Sequence, residues 1–487
     1  MNERMSKRFW LLGLAGLILV GLLLGCGSTY KSSADGLVLV GSQGSNVIQS
    51  FSFNLNTGHV ATISNPPATT GQPTVMTVDP AGTFVYVASS VNCTPNLSGN
   101  AAFTNVSLTG AFQSVITAYK VNSDGTLNSK ASPQYLQGSP SYPATDTNTP
   151  PLPEFPSCGL ADDTTNANPG NPIAQLSFDS SGKFLFVATL TAAVTYSYTD
   201  NTNPQSPVNQ SQTAGLPSQV LTFSVGGDGT LTPVPGNFTL TPPVGGQAPN
   251  FVALSPTAMK FPSAGINGTQ NSVCSPGNNP PTSEFLYALD SVNYLVWEFS
   301  VNTGTGALSS PVMNAPVPFF VTDSVPAGIA VDPCDRFVYV SGSFHNKISA
   351  YTICTTVQLP APCPSADGSL VPVPGSPFSI SGSANSLGPL VVDPFGNNVY
   401  VVGTVSNTVS GFKISPVTGA LTPLNPATVA TGSAPKSIAI RGDDNWLFVT
   451  NYSSASVSQY SITPATGNLS VVSPITTDNQ PWGIAVK

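Results

Sequence analysis

Downstream of residue 35, short apolar runs alternate with polar turns along the whole chain. A typical stretch is PAGIAVDPCDRFVYV at 326–340, where two runs rich in Val, Ile, Phe and Tyr flank an Asp-Pro turn. Runs of this length and composition, bounded by Asp, Pro and Gly, are typical of β-hairpins. Comparable stretches begin near five other prolines: Pro73, Pro172, Pro249, Pro389 and Pro435.

Each of these hairpins is followed by a second one whose turn contains Asp-Gly or Thr-Gly, as in VITAYKVNSDGTLN at 115–128. Two consecutive hairpins supply four antiparallel strands, which is the content of one β-propeller blade. Repetition of one such unit along a chain predicts a repeat architecture rather than several unrelated domains. The six units therefore predict six blades.

The two ends of the chain complement each other. Residues 481–487 read as one more opening strand, whereas residues 36–64 supply the later strands of a unit that lacks an opening strand. Pairing the two segments completes a seventh blade and removes two open sheet edges. We therefore predict an all-β fold, a seven-bladed β-propeller over 36–487 that is closed by strands from both termini. Four long loop insertions interrupt it, near 91–112, 138–170, 191–218 and 257–283.

The first 35 residues differ from the rest. Three basic residues precede an uncharged apolar run from residue 9 to 24, and Leu23-Leu24-Gly25 leads directly into Cys26. This arrangement is typical of a bacterial lipoprotein leader, so we predict a signal peptide at 1–25, lipidation of Cys26 and a polar tether at 26–35. The alternative is an uncleaved signal anchor. Because Gly27 follows the cysteine, rather than the Asp of an inner-membrane retention signal, we expect the outer membrane or cell surface.

Charge narrows the choice of partners. The 487-residue chain has a formal net charge of −8, only 7% of its residues are charged, and the mature part contains no basic cluster. Nucleic-acid binding needs a basic surface that neutralises phosphates, so this class of partner is excluded. Besides the membrane reached through the lipid, we expect a neutral or cationic ligand: a polysaccharide, a peptide or a protein.

Six cysteines follow Cys26, and an even number in an exported chain favours disulfides over free thiols. Their places in the predicted blades bring the members of three pairs to loops on a common face. We therefore predict the disulfides Cys93–Cys158, Cys274–Cys334 and Cys354–Cys363.

The repeated strands resemble those of the YVTN-type, lactonase-like seven-bladed propellers, which include the propeller form of 6-phosphogluconolactonase. The similarity lies in FVYV at 84–87 and 337–340 and in FVTN at 448–451, with the Val-Asp-Pro turns before them and the Thr-Gly turns after them. It implies the same fold and raises lactone hydrolysis as an activity. The family's Arg and His at the start of first strands have no counterparts here, since those segments read Ala-Pro-Asn, Pro-Ala-Gly, Gly-Pro-Leu and Ala-Pro-Lys. Its Glu after second strands is replaced by Ser-Gly-Ser at 341–343 and Thr-Asn-Tyr at 450–452.

Residues with catalytic chemistry are sparse. His345 and Lys347 share a predicted loop between a second and a third strand, and Lys436 lies at the start of a first strand. They are the best candidates for catalysis, although His345 lacks an evident carboxylate partner and is more typical of a surface residue. As ligand-binding candidates we select three further residues near strand ends: Asn250, Asn451 and Tyr452.

The recurrent Asp of the Val-Asp-Pro turns is interpreted as a turn cap rather than a metal ligand, because one occurs at the same place in most units. No cofactor or metal motif is present, so we predict neither a cofactor nor a metal. The sequence favours a membrane-anchored binding or scaffold propeller that acts through its loop-rich face. The alternative is a lactonase-like hydrolase, and the sequence leaves open whether the protein is an enzyme.

Overall fold

A computed structural model describes most of the repeated region. The described residues are 35–92, 103–109, 112–129, 133–136, 171–200, 208–235, 238–239, 246–257, 284–309, 312–313, 325–355, 363, 366–380 and 386–487. Within these ranges all regular elements are β-strands, numbered here in chain order. None of the described segments forms a helix with the length and apolarity needed to cross a membrane.

The strands form seven antiparallel blades. Blade 1 contains β1 (Asp35–Ser42), β2 (Val47–Asn54), β3 (Val60–Ile63) and β34 (Pro481–Val486). Blade 2 contains β4 (Gln72–Val78), β5 (Phe84–Asn92), β7 (Phe112–Val121), β8 (Leu127–Ser129) and β9 (Gln134–Leu136). Blade 3 contains β10 (Ile173–Phe178), β11 (Phe184–Thr189), β14 (Gln219–Val225), β15 (Leu231–Pro233) and β16 (Phe238–Thr239). Blade 4 contains β17 (Phe251–Pro256), β18 (Glu284–Asp290), β19 (Leu295–Val301) and β20 (Val312–Met313).

The last three blades follow the same plan. Blade 5 contains β21 (Pro326–Val331), β22 (Phe337–Gly342), β23 (Lys347–Ile353), β24 (Leu370–Pro372) and β25 (Phe378–Ser379). Blade 6 contains β26 (Leu387–Val392), β27 (Asn398–Gly403), β28 (Thr408–Ile414) and β29 (Leu421–Ala430). Blade 7 contains β30 (Pro435–Ile440), β31 (Trp446–Asn451), β32 (Ser456–Ile462) and β33 (Leu469–Thr476).

The ring closes between the two ends of the chain. Strand β1 pairs antiparallel with β34, so that Leu39 lies opposite Ala485 and Val40 opposite Ile484. The first strands of the blades also contact one another in the cyclic order β34, β4, β10, β17, β21, β26 and β30. They are therefore the innermost strands around the central axis. The predicted seven-bladed propeller with terminal closure is confirmed.

The core is divided among the seven blade interfaces. Each of seven clusters of buried apolar residues joins two adjacent blades, as where Phe337 and Tyr339 of blade 5 pack with Leu390 and Val401 of blade 6. Second strands are covered on both faces, and every residue of β22 and β27 is buried. This explains why these segments are continuous apolar runs rather than alternating ones.

Aspartates cap the turns between first and second strands. Asp79 Oδ1 accepts hydrogen bonds from the backbone N–H groups of Thr83 and Phe84 at 2.6 and 2.8 Å. Asp393 Oδ1 accepts from Phe395 and Asn397 at 2.9 and 3.0 Å in the same way. The described residues contain no group of three or more His, Cys, Asp or Glu suited to hold a metal ion. The aspartates thus act as turn caps, as interpreted from the sequence.

Two of the predicted loop insertions contain regular structure, which corrects the sequence prediction at 91–112 and 191–218. Strands β6 (Phe103–Thr109), β12 (Ala192–Asp200) and β13 (Val208–Leu216) form a separate three-stranded sheet in which β12 pairs with both neighbours. The sheet joins insertions that belong to blades 2 and 3. The insertion at 138–170 and nearly all of 257–283 lie outside the described residues.

One predicted disulfide is present in the structure. Cys354 and Cys363 are bonded, with their Cα atoms 5.2 Å apart. Cys334 is also disulfide-bonded. Its predicted partner Cys274, like both members of the predicted pair Cys93–Cys158, lies outside the described residues, so these two pairings stay predictions.

Candidate functional site

A β-bulge recurs near the beginning of the innermost strands. In blade 7, Pro435 lies opposite Asn451 and Ser437 lies opposite Thr450, so Lys436 between them has no partner in β31. Such a bulge breaks the strict alternation of a strand and gives one side chain a new direction. The same register shift occurs in the other six blades at Trp482, Thr74, Ala174, Val252, Ala327 and the Gly388–Pro389 pair.

These bulges share one face of the propeller. Because the four strands of a blade run antiparallel, the first strand begins on the face that also holds the turn between the second and third strands. We call this the upper face and the opposite one the lower face. Strands β6, β12 and β13 arise from the connections between second and third strands in blades 2 and 3, so the extra sheet arises on the upper face. The bulge residues encircle the central axis beside it.

Among the bulge residues, the charged and aromatic side chains lie in two adjacent blades. Most of the bulge positions hold small or apolar residues, whereas Lys436 of blade 7 provides the ring's charge and Trp482 of blade 1 its aromatic side chain. The Lys436 Nζ atom lies 4.8 Å from the centroid of the Trp482 ring and 5.7 Å from that of Tyr452. The two rings meet edge to face at 5.5 Å. We call Lys436, Tyr452 and Trp482 the upper-face cluster.

The upper-face cluster combines a cation with two aromatic faces, and all three side chains are partly exposed. Aromatic faces attract an ammonium group, which explains why the lysine lies over them. Among the described residues no carboxylate forms an ion pair with Lys436, since the ion pairs there are those of Arg336 and Arg441. The positive charge therefore remains available to an acceptor group of a ligand.

Hydrogen bonds to the backbone hold the cluster residues in place. Thr450 Oγ1 donates to the carbonyl of Trp482 at 2.8 Å and accepts from the N–H of Ser437 at 3.0 Å. The Tyr452 N–H donates to the carbonyl of Ala434 at 3.0 Å. Thr450 thus joins the bulge of blade 7 to the innermost strand of blade 1, and this holds the lysine and the tryptophan in register.

The other two binding candidates, Asn451 and Asn250, make hydrogen bonds that stabilise the fold. Asn451 is fully buried at the end of β31, where its Nδ2 donates to Ser456 and Ser458 Oγ at 3.2 and 2.9 Å. Asn250 Oδ1 accepts from the backbone N–H of Thr191 at 2.8 Å, and its Nδ2 donates to Ser291 Oγ at 3.1 Å. Asn250 therefore connects blade 3 to blade 4. Of the predicted contacts, Tyr452 alone joins the upper-face cluster.

The three candidate catalytic residues are not brought together. His345 is exposed in the turn between β22 and β23, and Lys347 is the first residue of β23. Both belong to blade 5, whereas Lys436 belongs to blade 7 and blade 6 separates them. No hydrogen bond links His345 to a carboxylate within the described part of the chain. The arrangement lacks the paired acid and base that general acid–base catalysis uses.

Sequence reasoning missed Trp482. The sequence prediction gives residues 481–487 a role in ring closure alone, although Pro-Trp-Gly-Ile-Ala-Val aligns with Pro-Lys-Ser-Ile-Ala-Ile at 435–440. That alignment places Trp482 at the position of Lys436 in the adjacent blade. The signal was therefore present, but the contact between the two side chains depends on the closure of the ring.

Comparison with known proteins agrees with this fold. A family model described as "Lactonase, 7-bladed beta-propeller" matches residues 371–482. A candidate 6-phosphogluconolactonase from Bacteroides fragilis superposes with a TM-score of 0.58 at 16% identity, covering 94% of this chain and 99% of the other. A periplasmic gluconolactonase from Pseudomonas aeruginosa superposes with a TM-score of 0.56 at 15% identity, covering 93% and 99%. No curated protein sequence matches the chain. The resemblance inferred from the sequence is confirmed, and these identities support the fold alone.

Proposed function

We propose that this lactonase-like propeller is an exported, lipid-anchored protein that binds a ligand on its upper face. The observation that supports this best is the upper-face cluster, in which Lys436, Tyr452 and Trp482 converge at the bulges of two adjacent blades. The catalytic candidates His345 and Lys436 lie apart. The site therefore has the chemistry of recognition rather than of proton transfer.

The cluster fits a polysaccharide better than the other predicted partners. A sugar ring presents apolar C–H faces that pack on aromatic side chains, while its oxygens accept hydrogen bonds from an ammonium group. The bulges on either side of the cluster hold Gly388 and Pro389 in blade 6 and Thr74 in blade 2, so small side chains flank it. The extra sheet of blades 2 and 3 would form a wall on the same face.

Binding of soluble glycans to the leaderless protein tests this proposal. We expect saturable binding in a glycan panel, and we expect Trp482→Ala to weaken it at least tenfold because the ring supplies the stacking surface. Phe344→Ala is the matched control, since Phe344 is 67% exposed on the upper face in blade 5 but lies outside the cluster. Equal losses in both variants, or no glycan bound, would contradict the proposal.

Lactone hydrolysis is the second candidate function, favoured by the family model and by the gluconolactonase among the structural relatives. In that case the leaderless protein would open sugar lactones faster than they hydrolyse spontaneously. Lys436→Met would then abolish turnover, because Lys436 is the charged residue among the bulge positions around the central axis. His345→Ala would leave turnover unchanged if the exposed turn of blade 5 takes no part. Under the binding proposal, no lactone is hydrolysed above the spontaneous rate.

A further inference from the structure

The side chains of the upper-face cluster carry hydrogen-bond donors that no acceptor in the described part of the chain uses. The Lys436 ammonium group, the Tyr452 hydroxyl and the Trp482 indole N–H form no hydrogen bond to described residues, and all three side chains are partly exposed. The indole of Trp297 differs, since its N–H donates to Asp290 Oδ2 at 3.3 Å. The donors of the cluster are therefore available to a ligand.

The upper-face cluster supplies donors but few acceptors. Ammonium and indole N–H groups can only donate, so the Tyr452 oxygen is the acceptor among the three side chains. The neighbouring Thr450 Oγ1 is already bonded to backbone groups of Trp482 and Ser437. A sugar hydroxyl both donates and accepts, whereas an ionised carboxyl group only accepts. Three donors with few acceptors therefore match a carboxylate better than they match a hydroxyl group.

Carboxylates are unevenly divided between the two faces of the propeller. Most of the described ones lie on the lower face, and those of the first-to-second turns are Asp79, Asp179, Asp332, Asp393, Asp443 and Asp444.

The upper face has fewer carboxylates. Asp290 is fully buried and hydrogen-bonded, Asp478 is exposed and accepts from Ser45 Oγ at 3.1 Å, and Asp200 ends β12 of the extra sheet. Within the described residues, none of them forms an ion pair with Lys436. The net charge of −8, from which a neutral or cationic ligand is expected, therefore does not describe the surroundings of Lys436.

The aromatic rings strengthen the attraction of Lys436 for an anion. The Nζ atom lies 4.8 Å from the centroid of the Trp482 ring and 5.7 Å from that of Tyr452. Rings beside an ammonium group displace part of its water, and a charge-assisted hydrogen bond gains strength where water is limited. One lysine balances the single charge of a carboxylate. Arginines, which are preferred for phosphate groups, lie on the lower face in the described ring, at Arg336 and Arg441.

We propose that the upper-face cluster binds the carboxylate of a sugar acid in an acidic polysaccharide. Lys436 pairs with the carboxylate, the Tyr452 hydroxyl and the Trp482 indole N–H donate to oxygens of the same sugar, and the two rings pack against its C–H groups. This assignment rests on the polysaccharide binding proposed above and adds the chemical class of the sugar.

Calorimetric titration of the full chain with matched sugar trimers tests this assignment. The ligands are trigalacturonate and its methyl ester, which has the same rings and linkages but no charge. We expect the wild type to bind the charged trimer at least tenfold more tightly, and we expect this preference to shrink as sodium chloride screens the charges. The same comparison with trimers of glucuronate and mannuronate covers other sugar acids.

Lysine substitutions locate the preference for the charged trimer. Lys436→Met keeps an unbranched side chain but removes its charge, so the charged trimer and the ester should then bind with equal affinity. Lys347→Met is the matched control, because Lys347 is partly exposed at the upper-face end of blade 5 and lies outside the cluster, and it should leave the preference unchanged. Tyr452→Phe keeps the ring but removes one donor, so it should weaken binding of the charged trimer about threefold.

The possible results separate this inference from the proposed function. Equal affinities of the wild type for charged and neutral trimers would overturn the carboxylate assignment and leave polysaccharide binding intact. Absence of binding by every glycan would overturn both. Equal losses in Lys436→Met and Lys347→Met would trace the preference to the overall charge of the face and contradict a site at the cluster. Binding of sulfated galactotriose without binding of any uronate would contradict a carboxylate ligand.

Discussion

Individual buried carboxyl groups on the lower face make the stability of the fold depend on pH. Asp444 of blade 7 is 1% exposed, and burial raises its pKa, helped by the charges of Asp393 and Asp443. Glu284 is held in the same way between blades 3 and 4, with a pKa of about 7. Both groups favour the neutral form in the folded state. These buried carboxyl groups therefore destabilise the propeller less at acidic pH than at basic pH.

Glu284 gives a measurable pH dependence. Because its pKa is raised from the usual 4.5, its contribution to stability is complete below about pH 4.5 and is lost as the pH rises through about 7. We expect Glu284→Gln and the wild type to unfold alike at pH 5. At pH 8.5 the variant should be more stable by on the order of 3 kcal/mol. Urea unfolding at the two pH values measures this, and equal stabilities at pH 8.5 would show that Glu284 ionises freely.

At the scale of strands and turns, the blades interlock through one repeated contact. A tyrosine of the second strand donates its hydroxyl hydrogen to the carbonyl of a turn glycine in the next blade. The three bonds are Tyr287 to Gly368, Tyr339 to Gly419 and Tyr400 to Gly467, at 2.6, 3.0 and 2.7 Å. Tyr339 of the FVYV segment at 337–340 and the glycines of the Thr-Gly turns at 418–419 and 466–467 thus have a structural role in this contact. The hydroxyl of Tyr86, in the FVYV segment at 84–87, makes no such bond among the described residues.

Gly419 permits a direct test of this contact. It has a φ of +74°, and a Cβ atom would lie 2.5 Å from the ring of Phe337 in the preceding blade. Gly419→Ala combines an unfavourable backbone with overpacking, so we expect a loss of about 2–4 kcal/mol in unfolding free energy. Gly442→Ala is the control, since nothing lies within 4 Å of its Cβ position, and its effect should stay within about 0.5 kcal/mol. Similar losses in both variants would show that Gly419 has no special packing role.

The individual strands and turns also show which parts of the structure can be predicted from the sequence. Local signals sufficed for the blades, because Asp79 and Asp393 cap turns formed by their own neighbours and because residues 481–487 repeat a visible pattern. The strands β6, β12 and β13 were not predicted, since their polar sequences form a sheet only when blades 2 and 3 are adjacent. The raised pKa of Glu284 could not be predicted for the same reason, since the side chain is buried next to Asp179 and Ser180 of the neighbouring blade. Contacts between blades are set by the ring, not by local pattern.

At the scale of the whole molecule, the ring separates two surfaces with different chemistry. The upper face holds Lys436 beside aromatic rings, whereas the lower face holds the buried carboxyl groups of Glu284, Asp393 and Asp444. Closure between β1 and β34 places the first described strand next to the last one. The predicted tether at 26–35 therefore joins blade 1 on the lower face, where Leu37 and Lys487 exchange backbone hydrogen bonds. A lipid at Cys26 would hold this lower face near the membrane and leave the upper-face cluster on the opposite side of the ring.

The lipid anchor gives the final prediction. The apolar run at 9–24 is shorter than the about 20 residues of a spanning helix, which favours a cleaved leader over a membrane anchor. After cleavage before Cys26, the acyl chains on this cysteine would attach the protein to the membrane. We expect Cys26→Ser to abolish labelling with an alkynyl fatty acid and to move the protein from the membrane fraction to the soluble one. Gly27→Asp should keep the label but shift the protein to the inner membrane. Retention of Cys26→Ser in the membrane fraction, without label, would instead identify residues 9–24 as an uncleaved signal anchor.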